Sequence, residues 1–294
     1  MFRIIPGPIR GLTSLAFYTI NTVFWAILIF LITALKLAVP VSSWRRLCSR
    51  ILDRLATNWI GVNRVNQNLF SKVRWDISGV DSLDPDSSYL VIANHQTWVD
   101  IMALQRVFYR KIPFPKFFLK HELIYFPILG QAWWALDFPF MKRYTSQFLE
   151  KHPHLRGKDF EITCRACEKF KEMPVSIMNF VEGTRFTTQK HRRQQSPYKN
   201  LLRPRAGGMA YVLGVMGEQL DVVLDVTIVY PDDTPSFWSF LCGRVKSIRV
   251  RVTPIPVTGE LIGDYMHDSG YRNRIQDWLN TLWIEKDQEM ERMR

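Results

Sequence analysis

Cysteine is scarce in this chain, with four among 294 residues: Cys48, Cys164, Cys167 and Cys242. The spacing of Cys164 and Cys167 superficially matches a redox motif or half of a zinc site. No second CxxC follows, no strand-to-helix redox context surrounds the pair, and both residues fall inside a predicted amphipathic helix over residues 158–171. We therefore expect structural cysteines in a reducing compartment.

Acidic residues are also few: 27 Asp+Glu stand against 39 Lys+Arg, which gives a formal net charge of +12. Such an excess is typical of proteins that bind nucleic acid, an anionic membrane surface or phosphorylated substrates. The sequence lacks a nucleic-acid recognition module, and an aromatic content of 13% with 10 Trp suits a membrane interface. Membrane phospholipids, and not nucleic acid, are the predicted partners.

Charge is absent altogether between Gly11 and Leu35, a run of 25 residues that is long enough to cross a hydrocarbon core of about 30 Å. The run is long for a cleaved signal peptide, and no clear cleavage site follows it. We therefore predict N-terminal membrane-anchoring helices over residues 1–66 and a catalytic domain over residues 67–294.

A second amphipathic pattern follows Pro40, with apolar residues at helical spacing from Trp44 to Trp59. Its basic face suits a helix in the membrane interface, whereas an ordinary core-packed helix is the open alternative. Basic residues are more numerous after the apolar run than before it, which predicts a cytoplasmic catalytic domain. These arginines are Arg45, Arg46, Arg50 and Arg54, against Arg3 and Arg10.

Beyond residue 70, short apolar runs alternate with helical patterns, which predicts an α/β sheet flanked by helices. Strands are expected at residues 73–77, 89–93, 116–119, 138–142, 175–181, 222–229 and 245–252. Helices are expected at residues 98–108, 158–171, 206–216 and 271–288.

The predicted strand 89–93 leads directly into Asn94 and His95, and Asp100 follows near the first turn of a helix. The carboxyl end of a strand in an open α/β sheet is where such folds bind ligands. Asp100 can accept a hydrogen bond from one imidazole nitrogen and leave the other to take a proton from an alcohol. His95 and Asp100 are the candidate catalytic residues.

A second motif, Glu182-Gly183-Thr184-Arg185, follows the predicted strand 175–181. Gly permits a tight turn, Thr supplies a hydroxyl, and Arg offers a fork that suits a phosphate. Neither a G-x-S-x-G motif nor a papain-like Cys signature is present, which argues against a covalent intermediate on a familiar hydrolase pattern.

Together the two motifs, NHxxxxD and EGTR, resemble the signature of the PlsC-type lysophosphatidic acid acyltransferases over roughly residues 70–235. The extended runs WALDFPFMKRY and NFVEGTRFTTQKHRRQ are most similar to the bacterial YihG-like subgroup. The family's fourth block is similar to residues 226–231, although Tyr230 stands where a small apolar residue is common.

The resemblance implies transfer of a fatty acyl group from acyl-CoA or acyl carrier protein to the sn-2 hydroxyl of lysophosphatidic acid, with no cofactor and no metal. His95 is then the general base and Asp100 its partner. Arg143 and Arg185 would bind the acceptor phosphate, and Glu182, Gly183 and Thr184 would orient its glycerol.

A different lysophospholipid acceptor and an inactive membrane lipid-binding protein remain alternatives. The expected location is the bacterial inner membrane, with the catalytic domain on the cytoplasmic side.

A basic stretch without acidic residues runs from Arg185 to Arg205. It could contact the phosphates of the donor or anionic headgroups, or be a solvated loop. Its further members are Lys190, Arg192, Arg193, Lys199, Arg203 and Arg205.

Overall fold

The computed structural model describes residues 6–141, Cys167, Phe170 and residues 173–294. A helical hairpin comes first and consists of α1 (Gly7–Ala38) and α2 (Ser42–Phe70). In the described part of the chain, α1 is the one helix long and apolar enough to cross a membrane by length and composition.

The α/β unit contains the strands β1 (Arg74–Ser78), β2 (Tyr89–Ala93), β3 (Pro115–Phe117), β4 (Leu119–Lys120), β5 (Phe140–Met141), β6 (Ser176–Phe180), β7 (Val222–Val229) and β8 (Ser247–Pro256). Six of them form a mixed sheet in the order β1-β8-β7-β2-β6-β3, and β4 and β5 pair separately. β2 is parallel to both β6 and β7, whereas β8 runs antiparallel to β7.

Helices follow several strands and cover the sheet. They are α3 (Val99–Phe108), α4 (Leu129–Ala135), α5 (Thr188–Gln194), α6 (Gly207–Met216), α7 (Phe237–Leu241) and α8 (Ser269–Arg292). Short 3-10 turns occupy His121–Tyr125, Gly217–Gln219 and Gly259–Leu261.

The predicted α/β class is confirmed, and most predicted elements lie within a few residues of the observed ones. The predicted strand 116–119 is divided between β3 and β4, and strand 138–142 is represented by the two residues of β5. The predicted helix 158–171 falls outside the described residues except for Cys167, which is helical, and Phe170.

Two hydrophobic clusters cover opposite faces of the sheet, and β2 contributes to both because strand side chains alternate in direction. Tyr89, Val91 and Ala93 pack in one cluster, and Leu90 and Ile92 pack in the other. A strand buried on both faces is typical of the centre of a parallel arrangement.

The amphipathic stripe of α2 packs into the first of these clusters through Leu52, Ala56 and Ile60. The core-packed alternative for the pattern from Trp44 to Trp59 is therefore confirmed for its central part. Ile29 of α1 joins the same cluster, so the hydrophobic core is continuous across the predicted boundary at residues 66 and 67.

Polar side chains form the seam between α1 and α2. The Asn66 amide donates to the Ser14 carbonyl oxygen at 3.0 Å, and the Asn21 amide donates to Asn63 Oδ1 at 2.8 Å. Interhelical hydrogen bonds between small and amide side chains are common where helices associate within lipid. The seam holds α1 against α2, which itself packs on the sheet.

Candidate active site

The two signature motifs meet at one edge of the sheet because β2 and β6 are parallel and in register, with Ala93 opposite Phe180. His95 and Glu182 each follow their strand by two residues. The backbone N–H of His95 donates to Glu182 Oε1 at 2.8 Å, which joins two segments that are 87 residues apart. The two motifs are thus in direct contact in the structure.

His95 and Asp100 form a pair, with Nδ1 lying 2.8 Å from Asp100 Oδ2. The same oxygen accepts from the backbone N–H groups of Gln96 at 2.6 Å and Thr97 at 2.8 Å, and Asp100 is fully buried. A hydrogen bond from Nδ1–H to the carboxylate leaves the lone pair on Nε2 available for a proton. This arrangement suits a general base acting on a hydroxyl group.

The imidazole of His95 also stacks on the ring of Phe180, with centroids 3.9 Å apart and planes 13° apart. Phe180 is the last residue of β6, so the sheet itself fixes the plane of the imidazole. With one edge held by Asp100 and one face covered, Nε2 has a defined direction.

Glu182 is buried, and its two oxygens accept from the backbone N–H groups of His95 and Leu202, both at 2.8 Å. Burial raises the pKa of Glu182 to about 8, although these two donors lower it. Each oxygen therefore has one hydrogen-bond donor inside the protein, and the predicted contact of Glu182 with a glycerol backbone stays a prediction. The geometry assigns the side chain to holding His95.

The rest of the second motif forms a turn against the first. Gly183 has φ of +69°, a conformation that glycine adopts at no steric cost. Two residues past Thr184, the backbone N–H of Phe186 donates to the His95 carbonyl oxygen at 2.7 Å. The predicted tight turn is present and encloses His95.

Arg185, the predicted phosphate ligand, is exposed, and its guanidinium lies 4.9 Å from the centroid of the Trp98 ring. Trp98 belongs to the first motif, so this contact is another bridge between the two motifs. Arg143, the other predicted phosphate ligand, lies outside the described residues.

The basic stretch is divided among different environments. Lys190 donates to Thr184 Oγ1 at 2.7 Å, Arg203 donates to the carbonyl oxygens of Gln194 and Gln195, and Lys199 pairs with Glu291. The remaining members, Arg192, Arg193 and Arg205, are exposed. Its contact with a donor or a membrane stays a prediction.

Three supporting residues were not predicted as site residues. Asn94 exchanges two hydrogen bonds with the backbone of Ile228 on β7, at 3.0 and 2.8 Å, and Tyr230 donates to Asp100 Oδ1 at 2.6 Å. Lys286 of α8 is buried 2.7 Å from Asp225 Oδ1, and its charge lowers the pKa of Glu182 against the larger effect of burial. Two of them gave a sequence signal, Asn94 as the first residue of the NHxxxxD motif and Tyr230 as a departure from the family pattern, whereas Lys286 gave none.

A cavity of about 500 Å³ lies away from His95, between the end of α1, the start of α2 and the amino end of β6. In the described part of the chain, no group of three or more His, Cys, Asp or Glu side chains is arranged to hold a metal ion.

The Acyltransferase family model matches residues 74–229, which include both motifs and more than half of the chain. The chain therefore belongs to the acyltransferase family. The fold is that of the 1-acyl-sn-glycerophosphate (LPA) acyltransferase PlsC from Thermotoga maritima, whose crystal structure matches with a TM-score of 0.53 and 18% identity over 97% of this chain and 98% of that one.

Among curated proteins, the chain is 25% identical to lysocardiolipin acyltransferase 1 of Danio rerio, covering 96% of this chain and 71% of that protein. It is 26% identical to 1-acyl-sn-glycerol-3-phosphate acyltransferase 3 of Arabidopsis thaliana, covering 69% and 53%. It is also 25% identical to 2-acyl-1-lysophosphatidylinositol acyltransferase of Saccharomyces cerevisiae, covering 70% and 61%.

The chain thus spans only part of the length of these relatives. The predicted resemblance to the PlsC-type family is confirmed, whereas the YihG-like subgroup stays a prediction.

Proposed function

We propose that this acyltransferase moves a fatty acyl group from acyl-CoA or acyl carrier protein to the sn-2 hydroxyl of lysophosphatidic acid and so forms phosphatidic acid. The observation that carries the proposal is the His95–Asp100 pair, whose imidazole is fixed by Asp100 and Phe180 while Glu182 accepts from the backbone N–H of His95. A hydroxyl is a poor nucleophile while it keeps its proton, and an imidazole fixed beside it can accept that proton.

In the proposed reaction, Nε2 of His95 takes the hydroxyl proton while the oxygen attacks the thioester carbonyl. The tetrahedral intermediate then breaks the carbon–sulfur bond, and the imidazolium returns the proton to the leaving thiolate. Asp100 stabilises the imidazolium between these two steps. The reaction needs no cofactor, because the thioester supplies both the acyl group and the leaving group.

Arg185 would bind the acceptor phosphate from the mouth of the site, where its guanidinium is exposed beside Trp98. When the phosphate is bound at a point remote from the reacting hydroxyl, the rest of the acceptor holds that hydroxyl against Nε2. Arg143 is the second proposed phosphate ligand, on the strength of the family resemblance.

A phosphodiester-linked lysophospholipid is the second candidate acceptor. The similarity to lysocardiolipin and lysophosphatidylinositol acyltransferases favours it, and the first of these extends over 96% of the chain. The geometry of His95 serves either acceptor, because both present a glycerol hydroxyl and a phosphate.

The outer face of α1 is proposed to lie in a single leaflet of the membrane. Its exposed apolar residues include Ile20, Phe24, Ile27 and Leu31, which share one side of the helix. The hydrogen-bonded seam with α2 keeps α1 alongside the catalytic domain, which supports a helix parallel to the membrane surface. The proposed location is the cytoplasmic side of a bacterial inner membrane.

The test offers purified protein in detergent a panel of lysophosphatidic acid, lysophosphatidylglycerol, lysophosphatidylinositol and lysocardiolipin, each with acyl-CoA and with acyl carrier protein. Products are identified by mass spectrometry. We expect acylation of lysophosphatidic acid to be the fastest reaction and His95→Ala to lower it at least about a hundredfold.

His267→Ala is the matched control, because His267 Nδ1 pairs with Asp264 Oδ2 at 2.7 Å on an exposed loop. This variant should keep the wild-type rate. Turnover by His95→Ala within tenfold of wild type would contradict the proposed base, and preference for a phosphodiester acceptor would select the second candidate.

A further inference from the structure

The proposed function assigns no role to Oδ1, the second carboxylate oxygen of Asp100. Three donors meet Asp100 Oδ2, namely His95 Nδ1 and the backbone N–H groups of Gln96 and Thr97. Oδ1 accepts from the Tyr230 hydroxyl at 2.6 Å, and Asp100 and Tyr230 are both buried. A short hydrogen bond to a buried carboxylate has a large effect on its charge distribution.

The sheet explains how Tyr230 reaches Asp100. β7 pairs with β2 in parallel as far as Ala93 opposite Val226, and β7 then continues for three residues beyond the end of β2. Asn94 fixes this extension by bonding both the N–H and the C=O of Ile228. Tyr230 lies two residues after Ile228, and this position brings its hydroxyl next to the loop that carries the NHxxxxD motif.

The Tyr230 hydroxyl acts as a donor throughout the working pH range. Burial raises the pKa of Tyr230 well above its usual value, and the adjacent charge of Asp100 and the hydrogen bond to it raise the pKa further. A phenol that keeps its proton is neutral, so the Tyr230 hydroxyl does not take the Nδ1 proton of His95 in place of Asp100.

We infer that Tyr230 is a positioning residue that sets the basicity of His95 through Asp100. Its O–H dipole points at Oδ1 and withdraws negative charge from the carboxylate, so Asp100 stabilises the protonated imidazole less than an unassisted carboxylate would. This inference rests on the proposed function, since it concerns the same base.

Tyr230→Phe removes the donor and little else. Without that donor, Asp100 should stabilise the protonated imidazole more strongly, so the rising limb of the kcat profile should move about one unit towards alkaline pH. For such a shift, kcat near neutral pH falls about threefold and recovers about two pH units higher, while KM for the acceptor is unchanged. Replacing Tyr230 by a fluorinated tyrosine strengthens the donor and should move the limb in the opposite direction.

Tyr271→Phe is the matched control, since Tyr271 is also buried and donates to the Leu261 carbonyl oxygen at 2.7 Å. It removes the same kind of hydrogen bond far along the chain from the two motifs, so the pH profile should stay that of wild type. Thermal unfolding of each variant identifies any loss of fold, and the fluorinated protein retains the ring and the hydroxyl in any case.

Two results would overturn the inference. One is an unchanged limb in both Tyr230 variants, and the other is a loss of kcat in Tyr230→Phe that is equal at every pH. Failure of the proposed function gives a different result, because His95→Ala would then retain turnover whatever the behaviour of Tyr230.

Discussion

Glu182 combines burial with a carboxyl group, and this combination makes the stability of the protein depend on pH. Burial raises its pKa from 4.5 to about 8, so the fold favours the protonated form. The stabilising contribution is complete below the unfolded-state pKa and is lost as the pH rises through the folded-state pKa. Above that range, the fold holds a buried charge.

We expect the wild type to lose a few kcal/mol of stability relative to Glu182→Gln between about pH 5 and about pH 8.5. Glutamine does not titrate, so the difference between the two proteins isolates the ionisation of Glu182. Urea unfolding of both proteins in detergent, at several pH values, measures that difference. A gap that stays constant over this range would show that Glu182 is ionised in the folded protein as it is in the unfolded chain, and would contradict the raised pKa.

The ring of Trp98 packs against the guanidinium of Arg185, which lies 4.9 Å from the ring centroid. A cation–π contact at an exposed position is worth about 0.5–1 kcal/mol, so Trp98→Leu should raise KM for the acceptor about two- to fivefold with little change in kcat. Trp134 is 50% exposed, against 52% for Trp98, and Trp134→Leu is therefore a fair control. Initial rates over a range of acceptor concentrations give KM and kcat for both variants and so distinguish Trp98→Leu from Trp134→Leu.

Among single residues, the contact between His95 and Asp100 and the turn at EGTR could be predicted from the sequence, because each motif is continuous and follows a recognisable strand. The sequence could not predict the contact between Tyr230 and Asp100, whose partners lie 130 residues apart. Nor could it show that both oxygens of Glu182 accept hydrogen bonds inside the protein, because one of the donors is the backbone N–H of Leu202, 20 residues further along the chain.

The helix α8 shows how a distant element supports the site. Its Lys286 is fully buried, 2.7 Å from Asp225 Oδ1, and donates to the Val226 carbonyl oxygen at 2.7 Å. Both contacts are with β7, the strand that ends one residue before Tyr230. The helix therefore fixes β7 from the face opposite to α3.

Lys286→Met should lower the free energy of unfolding by about 3–5 kcal/mol, because it leaves Asp225 as an uncompensated buried charge. The double variant with Asp225→Leu should recover most of this loss, since a buried pair can be replaced by apolar residues. Lys199→Met, which breaks an exposed pair between α8 and the basic stretch, should cost far less, because water screens both charges. Equal losses for Lys286→Met and Lys199→Met in urea unfolding would refute this account.

The elements themselves were largely predictable, since the period of apolar residues distinguishes strands from helices. The exception is the role of α2, whose apolar stripe fits a membrane interface and a protein core equally well. Leu52, Ala56 and Ile60 pack against the sheet, and only the tertiary contacts decide between those two environments.

For the whole molecule, the exposed side of α1 predicts how the protein meets lipid. Ile20 is 70% exposed and Ile27 is 54% exposed, and the pair Ile20→Asp and Ile27→Asp should weaken binding to phospholipid vesicles at least about tenfold. The hydrogen-bonded seam is untouched, so the fold should survive. Flotation with liposomes measures the effect.

Ile284→Asp on α8 is the control, because Ile284 is 52% exposed and lies on the helix that packs against the other face of the sheet. It should float as the wild type does. If the α1 variant also floats fully, another surface must capture the membrane, and the exposed arginines of the basic stretch are the first to examine.

The in-register pairing of β2 with β6 also determines when activity can appear during folding. The two halves of the site are 87 residues apart along the chain, and the hydrogen bond from His95 to Glu182 cannot form before these strands align. Parallel pairing over such a separation is slow, because chain entropy is lost before the contacts compensate for it. Helical structure should therefore return early in refolding, and acyl transfer should be among the last properties recovered, at a rate that reports the alignment of the central strands.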